Sequence, residues 1–263
     1  MDDSDHVTFT ESEFYQRHFD SREYFKAYYR GPNSGEEFFP FLLQQLNETF
    51  SSGNIKGKKL IDIGCGPTIH GLISASKCFE EIVVSDFTDS NRREIEKWLR
   101  NEEGCFDWRP TIEFVCELEG GSRSPEEVEQ RLRQIVKQVR RCDVRQENPF
   151  HPLTMEPADC ILSSFCLEAA CKDLETYRRA LGSTVALLKP GGVLVLISAL
   201  NASFYFVGQE KFSCLFLSES FIKETLRNLG FSVKQANSVH TKETNKGFYD
   251  AEAVFYLVAQ KTK

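Results

Sequence analysis

Two glycines and three acids are spaced so that they could hold a nucleoside. The apolar run Leu60-Ile-Asp-Ile63 stops at Gly64-Cys65-Gly66. Glycines at the end of a strand let the chain turn sharply and bring backbone N–H groups against a ligand, beside the next helix N-terminus. About 20 residues further on, a second apolar run, Glu81-Ile-Val-Val-Ser85, ends at Asp86. A carboxylate there can accept both hydroxyls of a ribose in a charge-assisted pair of bonds. Asp143, in Cys142-Asp-Val144, closes a weaker third run and can accept from an adenine amino group. Each feature alone has an ordinary reading: a tight turn, an acid at a helix start, a solvated loop acid.

Two nucleotide cofactors could suit such a loop. The dinucleotide fingerprint needs a third glycine at position 69, which is Ile69, and an apolar residue where Asp62 stands. A strand acid followed by Gly-x-Gly matches instead the loop that holds S-adenosylmethionine. No residues point to nucleophilic or metal chemistry. There is no Cys-x-x-Cys, the 5 histidines are scattered, and no triad is apparent, so no catalytic residue and no metal ligand are assigned. The 9 cysteines are an odd number, which excludes a fully paired framework within one chain. They read as small apolar residues in a reducing compartment.

The elements that must position these residues alternate in kind. Strand-like runs lie at 59–63, 81–86, 137–143, 158–164, 193–197, 231–236 and 253–258. Apolar runs bounded by turn residues suit strands buried on both faces of a parallel sheet. Ser124-Pro-Glu-Glu127 reads as a capping box opening a helix with Val128, Leu132, Ile135, Val136 and Val139 at helical spacing. Asp89 or Ser90 can cap the helix carrying Ile95 and Trp98, and Ser218 one that ends at Gly230. Leu174, Tyr177, Leu181 and Val185 make a further stripe, and Leu187-Leu-Lys-Pro-Gly-Gly192 reads as a helix stop and turn. Residues 10–50 are helical and rich in aromatics, while 111–118 fit either period. Strands alternating with helices give a doubly wound α/β sheet.

The 263 residues suffice for one large α/β domain, taken as 1–263 with 101–124 as an insertion. Apolar residues at 41% and charged residues at 27% are ordinary globular usage and exclude disordered and fibrous classes. A net charge of −7 argues against nucleic acid or an anionic membrane as partner. The N-terminus is acidic, with no basic or apolar leader. The longest apolar run, near Val193–Leu200, is far short of the ~20 residues of a membrane span. The expectation is a cytoplasmic, soluble monomer acting on a small molecule.

The chain resembles the nicotinamide, phenylethanolamine, indolethylamine and thioether methyltransferase family from about Tyr15 to Lys261. The resemblance rests on Arg22-Glu-Tyr24 with Tyr28-Tyr29, Leu60-Ile-Asp-Ile-Gly-Cys-Gly-Pro-Thr-Ile69, Ser85-Asp-Phe-Thr-Asp-Ser-Asn91 and Glu96-Lys-Trp-Leu99. Cys116-Glu-Leu-Glu-Gly120, Cys142-Asp-Val144, Ala158-Asp-Cys160 and Leu187-Leu-Lys-Pro-Gly-Gly192 extend it. It implies a class I methyltransferase: a Rossmann-like seven-stranded sheet, last strand antiparallel, helices on both faces, and an N-terminal helical lid over 1–50. It also implies a set of contacts to S-adenosylmethionine. Tyr24 and Tyr29 would close over the cofactor, and Gly64 and Cys65 would offer backbone groups. Asp86 would hold the ribose, and Asn91 would reach the methionine end or the ribose. Asp143 and Val144 would frame the adenine, and Ser164 would touch the cofactor. His70 stands where relatives have a tyrosine, and reads either as a polar contact or as a partly exposed helix residue. Ser198 and Cys214 stand where the nicotinamide branch has an aspartate and a serine, and Tyr205 matches a pocket tyrosine. The implied substrate is therefore a small amine or a thioether, with nicotinamide and an inactive cofactor-binding relative as alternatives.

Overall fold

A computed structural model describes residues 8–33, 37–242 and 247–262. The first seven residues, read above as carrying no leader, lie outside that range, as do 34–36, 243–246 and 263.

Seven strands form one sheet: β1 (Gly57–Ile63), β2 (Phe79–Asp86), β3 (Val136–Arg141), β4 (Ala158–Ser164), β5 (Leu188–Leu200), β8 (Phe231–His240) and β9 (Ala253–Lys261). Their order is β3-β2-β1-β4-β5-β9-β8, and β9 is antiparallel to both of its neighbours. The doubly wound reading and its antiparallel last strand are therefore present. Period-two alternation splits the strand side chains between two cores. Leu60, Ile82, Val84, Cys160, Leu162, Val195 and Ile197 face one; Ile61, Ile63, Val83, Ile161, Leu194 and Leu196 face the other.

The first core is covered by α3 (Phe38–Ser51), α4 (His70–Ala75), α5 (Asp89–Leu99), α6 (Arg109–Leu118) and α7 (Pro125–Ile135). The second is covered by α8 (Leu167–Ala170), α9 (Leu174–Ala186) and α10 (Glu219–Asn228). The capping box at Ser124 and Glu127 is in place, and Ser218 caps α10 through the Phe221 N–H. The ambiguous stretch 111–118 is helical. With Trp108, Ile112 and Val115 buried in the main core, 101–124 is part of the packing. The helix carrying Ile95 is capped by neither Asp89 nor Ser90. Thr88 holds the N-cap position while its hydroxyl donates to Asp86, and Asp89 pairs with Arg92. Lys189-Pro-Gly-Gly192 lies within β5, whose register with β4 shifts between Ala158 and Cys160.

Two additions sit at the carboxyl ends of the parallel strands. One is a hairpin of β6 (Phe204–Val207) and β7 (Glu210–Ser213). The other is the pair α1 (Ser12–His18) and α2 (Ser21–Tyr28), which lies on it. Phe14, Tyr15 and Phe19 contact the buried Phe212 ring at centroid distances of 4.7–5.6 Å. Thr10 and Ser213 exchange two backbone-to-hydroxyl bonds of 2.8 Å, and the Tyr15 and Tyr205 hydroxyls meet at 2.6 Å.

Candidate active site

The strand order reverses between β1 and β4, and open α/β sheets bind ligands outside the carboxyl ends of the strands at that switch point. Gly64-Cys65-Gly66 follows β1 there, and Ser164-Phe165-Cys166 follows β4. Gly64 has φ +68°, and a Cβ on it would lie 2.1 Å from the Cys166 sulfur, so the two loops interlock only with glycine at that position. Gly66, with φ +59°, donates its N–H to Asp86 Oδ2 at 2.9 Å. Asp86 Oδ1 accepts from the Thr88 N–H at 2.9 Å, the Thr88 hydroxyl at 2.6 Å and the Asn91 amide at 3.0 Å. Asn91 is held in turn by the Ser21 hydroxyl at 2.7 Å. Its bonds thus go to Asp86, Thr88 and the first turn of α2.

A cleft opens over this loop. Gly64, Cys65, His70, Asp86, Asn91, Asp143, Val144, Ser164, Tyr24, Tyr29 and Tyr205 all line it, together with Tyr15, Phe87 and Arg145. Asp143 accepts from the Arg145 N–H at 3.1 Å. His70 is not the partly exposed helix residue that its position suggested. It is 3% exposed, stacked on Tyr29 at 5.0 Å and met edge-on by Phe39 at 5.7 Å. That burial pushes its pKa down to about 3, so the ring is neutral. His70 Nε2 and Ser164 Oγ are buried without a protein partner. Asp62 is buried off the cleft wall. Burial first, and the Asp86 charge second, hold its pKa well above the ordinary carboxylate range.

A second cavity shares Tyr24, Tyr29, Phe165, Ala169 and Tyr205 with the first. Phe38, Tyr28, Phe204, Tyr249, Ala199, Ala202, Ala251, Val254, Cys214 and Glu168 complete its wall. Burial raises the pKa values of Tyr24, Tyr205 and Cys214, so these groups are neutral at physiological pH. Among the described residues, Glu168 supplies the only carboxylate on that wall. Its Oε1 accepts from the Ala199 N–H at 2.8 Å, its Oε2 is buried without a partner, and burial pushes its pKa up to about 7. Phe165, on the wall between the two cavities, has φ +53°, a conformation that costs a bulky residue strain and recurs at functional sites.

Ser198 is corrected by the pleat of β5. The Ala199 side chain faces the cavity, so Ser198 points the other way, toward Leu196, Leu200 and Tyr177. It is fully buried, lines neither cavity, and interacts with Glu168 from behind. The sequence reading passed over Glu168, Phe165 and Tyr15. The signal for Glu168 was available: it is the one charged residue between Asp159 and Lys172, just past the carboxyl end of an apolar strand.

The fit to a nucleoside-bearing amino acid rests on this cleft. Carboxylates stand over β2 and β3, a glycine loop follows β1, and two residues of the wall carry buried polar atoms without a protein partner. A model of the NNMT/PNMT/TEMT family matches residues 6–262. The chain belongs to that family. It is 43% identical to nicotinamide N-methyltransferase from Homo sapiens, covering 96% of this chain and 97% of the relative. It is 43% identical to indolethylamine N-methyltransferase from Oryctolagus cuniculus over 86% and 88%. It is 37% identical to phenylethanolamine N-methyltransferase from Homo sapiens over 94% and 90%. Solved structures share the fold at low identity. Magnesium protoporphyrin IX methyltransferase from Synechocystis with bound SAM superposes with TM-score 0.57 at 14% identity, covering 97% and 99%. An SAH complex of DhpI superposes with TM-score 0.56 at 12% identity, over 95% and 94%. This member of the NNMT/PNMT/TEMT family is an S-adenosylmethionine-dependent N-methyltransferase. Among the described residues, no helix is long and apolar enough to cross a membrane, and no His, Cys, Asp and Glu cluster could hold a metal.

Proposed function

We infer that this enzyme methylates the nitrogen of a small aryl-alkylamine, held in the second cavity with its ammonium against Glu168. The observation that carries the reading is Glu168 Oε2, a buried carboxylate oxygen without a partner on an otherwise aromatic and apolar wall. A buried polar group without a hydrogen bond costs about 1–3 kcal/mol, and a ligand N–H removes that cost. Bound S-adenosylmethionine supplies a methyl group activated on a sulfonium. The chain's own residues then have three tasks. Asp86 and Asp143 hold the ribose and adenine ends, with Gly64, Cys65, Val144, Asn91 and Ser164 framing them. Tyr24, Tyr29, Phe165 and Tyr205 line the junction, exclude water, and favour cationic groups by about 0.5–2 kcal/mol per ring. Glu168, with a pKa of about 7, takes a proton from the ammonium and leaves the nitrogen lone pair free to attack.

Nicotinamide is the alternative, favoured by the relative of that name at 43% identity. A pyridine nitrogen needs no deprotonation, and a thioether sulfur needs none either. The test follows from that difference. Turnover of tryptamine, phenylethanolamine, nicotinamide and dimethyl sulfide is measured on the parent and on Glu168→Gln. The reading expects amines to be preferred by the parent and to lose most in the variant. Equal turnover of amines by parent and variant overturns it. Nine cysteines without a disulfide suit a reducing cytoplasm, and a net charge of −7 suits a protein that handles no nucleic acid. The chain is read as one unit whose lid is the segment carrying α1 and α2, while α3, the last part of the 1–50 region, belongs to the core.

A further inference from the structure

His70 sits at the start of α4, one turn past the glycine loop, on the wall of the first cavity. Which of its nitrogens carries the proton follows from its neighbour. The Thr68 hydroxyl donates to the Cys65 carbonyl at 2.8 Å, so its hydrogen is committed. The same oxygen lies 3.1 Å from His70 Nδ1 and faces it with a lone pair. Nδ1 must therefore carry the proton and donate. The other groups against the ring are the faces and edges of Tyr29 and Phe39, with no carboxylate among them. A neutral ring protonated at Nδ1 presents Nε2 as a bare lone pair. That atom is buried, belongs to a residue of the cavity wall, and meets no donor from the protein.

The sheet order says which donor the site would offer. Asp143, Asp86 and the glycine loop follow β3, β2 and β1, which are successive neighbours in the sheet. A cofactor with its adenine over β3 and its ribose over β2 brings its amino-acid end over β1, where His70 stands. At that end, only the α-ammonium can donate. We propose that His70 Nε2 accepts a hydrogen bond from the α-ammonium of S-adenosylmethionine. In this role a phenol, which brings a donor of its own, and an imidazole locked at Nδ1 are not equivalent. His70 selects for the amino group of the cofactor and is indifferent to its carboxylate. The assignment rests on the cofactor alone and not on which amine is methylated.

The test compares binding by calorimetry of S-adenosylhomocysteine, which keeps the ammonium, and of its analogue with hydrogen in place of the α-amino group. The parent should bind the complete product about tenfold or more tightly than the analogue, as for loss of a charge-assisted bond. His70→Phe should weaken the complete product by a similar factor and leave the analogue within twofold. Equal loss for both ligands would make His70 a filler of space and overturn the proposal. A second measurement needs no variant. In the ¹⁵N-labelled parent, His70 Nε2 should be unprotonated in the free enzyme, and its resonance should move on binding S-adenosylhomocysteine but not the analogue. A proton found on Nε2 in the free enzyme, or the same movement with both ligands, overturns the assignment.

Discussion

In the first cavity the Asp86 carboxylate collects donors from Gly66, Thr88 and Asn91, all within a short stretch of chain around the ends of β1 and β2. Across the shared wall, Glu168 Oε1 accepts from the Ala199 N–H, Ser198 stands against the carboxylate from behind, and Oε2 is buried without a hydrogen-bond partner. The first arrangement is complete before any ligand arrives, so it stabilises the fold and presents a fixed shape. The second is incomplete and costs stability, which on the proposed reading a ligand N–H would relieve. A family can therefore keep one cofactor while changing acceptors, because the cofactor loop is built of backbone and the acceptor pocket of replaceable side chains.

The contrast can be broken most sharply at Glu168. Glu168→Gln should lower kcat/KM for amines by about 10²–10⁴, the usual worth of a positioned acid–base group, with S-adenosylhomocysteine affinity unchanged within twofold by calorimetry. Comparable loss in both measurements would show that the cavities act as one unit.

The same substitution should stabilise the folded state at alkaline pH. Glu168 binds its proton more tightly when folded, at about 7 against 4.5 unfolded. The charging penalty is absent below pH 4.5, grows through the interval, and is complete above pH 7. Its full size is about 3 kcal/mol. Denaturant unfolding should thus find Glu168→Gln more stable than the parent at pH 8 and nearly equal to it at pH 4. A variant less stable at pH 8 would mean the carboxylate is already satisfied.

Asp86→Ala should behave in the opposite sense. Its loss strands the donors of Gly66, Thr88 and Asn91, so stability should fall by about 1–3 kcal/mol while S-adenosylhomocysteine binding weakens tenfold or more. If the fold is untouched, the polar group contributes to binding alone, and the contrast with Glu168 narrows.

The smallest effect is expected at the contact between α1 and the hairpin. Tyr15→Phe removes the hydroxyl pair with Tyr205, worth about 1 kcal/mol, and should speed protease cleavage within residues 8–30. Added cofactor should slow that cleavage in both proteins, since Tyr24 and Tyr29 of the same segment line the cleft proposed to hold it. Identical cleavage with and without cofactor would remove the segment from the binding event.

How much of this was legible in the sequence depends on how local each signal is. The strands were visible because parallel strands buried on both faces read as unbroken apolar runs. The cofactor wall was visible because Gly64, Gly66 and Asp86 report backbone demands at the ends of consecutive elements. The hairpin β6–β7 was missed because Phe204-Tyr-Phe-Val207 has no alternation to mark it, and its register depends on partners in α1. Ser198 was placed in the pocket by likeness of position, yet one step along a strand reverses the face, and Ala199 holds that place. Glu168 sits in a helix of four residues, too short for any period to show. His70 looked like a surface position because the aromatics that cover it, Tyr29 and Phe39, come from α2's end and α3, far away in the chain.

The place of β9 bears on how the chain acquires this form during synthesis. β9 is the last strand in chain order but lies inside the sheet, between β5 and β8, with Ala253 to Ala259 buried. β8 leaves the ribosome first and has no neighbour until β9 threads into the gap beside β5. Up to that moment the edge of β5 is open, and Tyr256 has not reached Thr49 in α3, a bond that closes the first core. The nascent chain can thus assemble β1 to β5 early, with the Gly64 loop and Asp86 already opposed, while the wall of the second cavity that Val254 and Ala251 supply arrives last. A chain arrested before residue 253 would hold most of a cofactor site and an unfinished acceptor site, with an exposed strand edge for chaperones to guard.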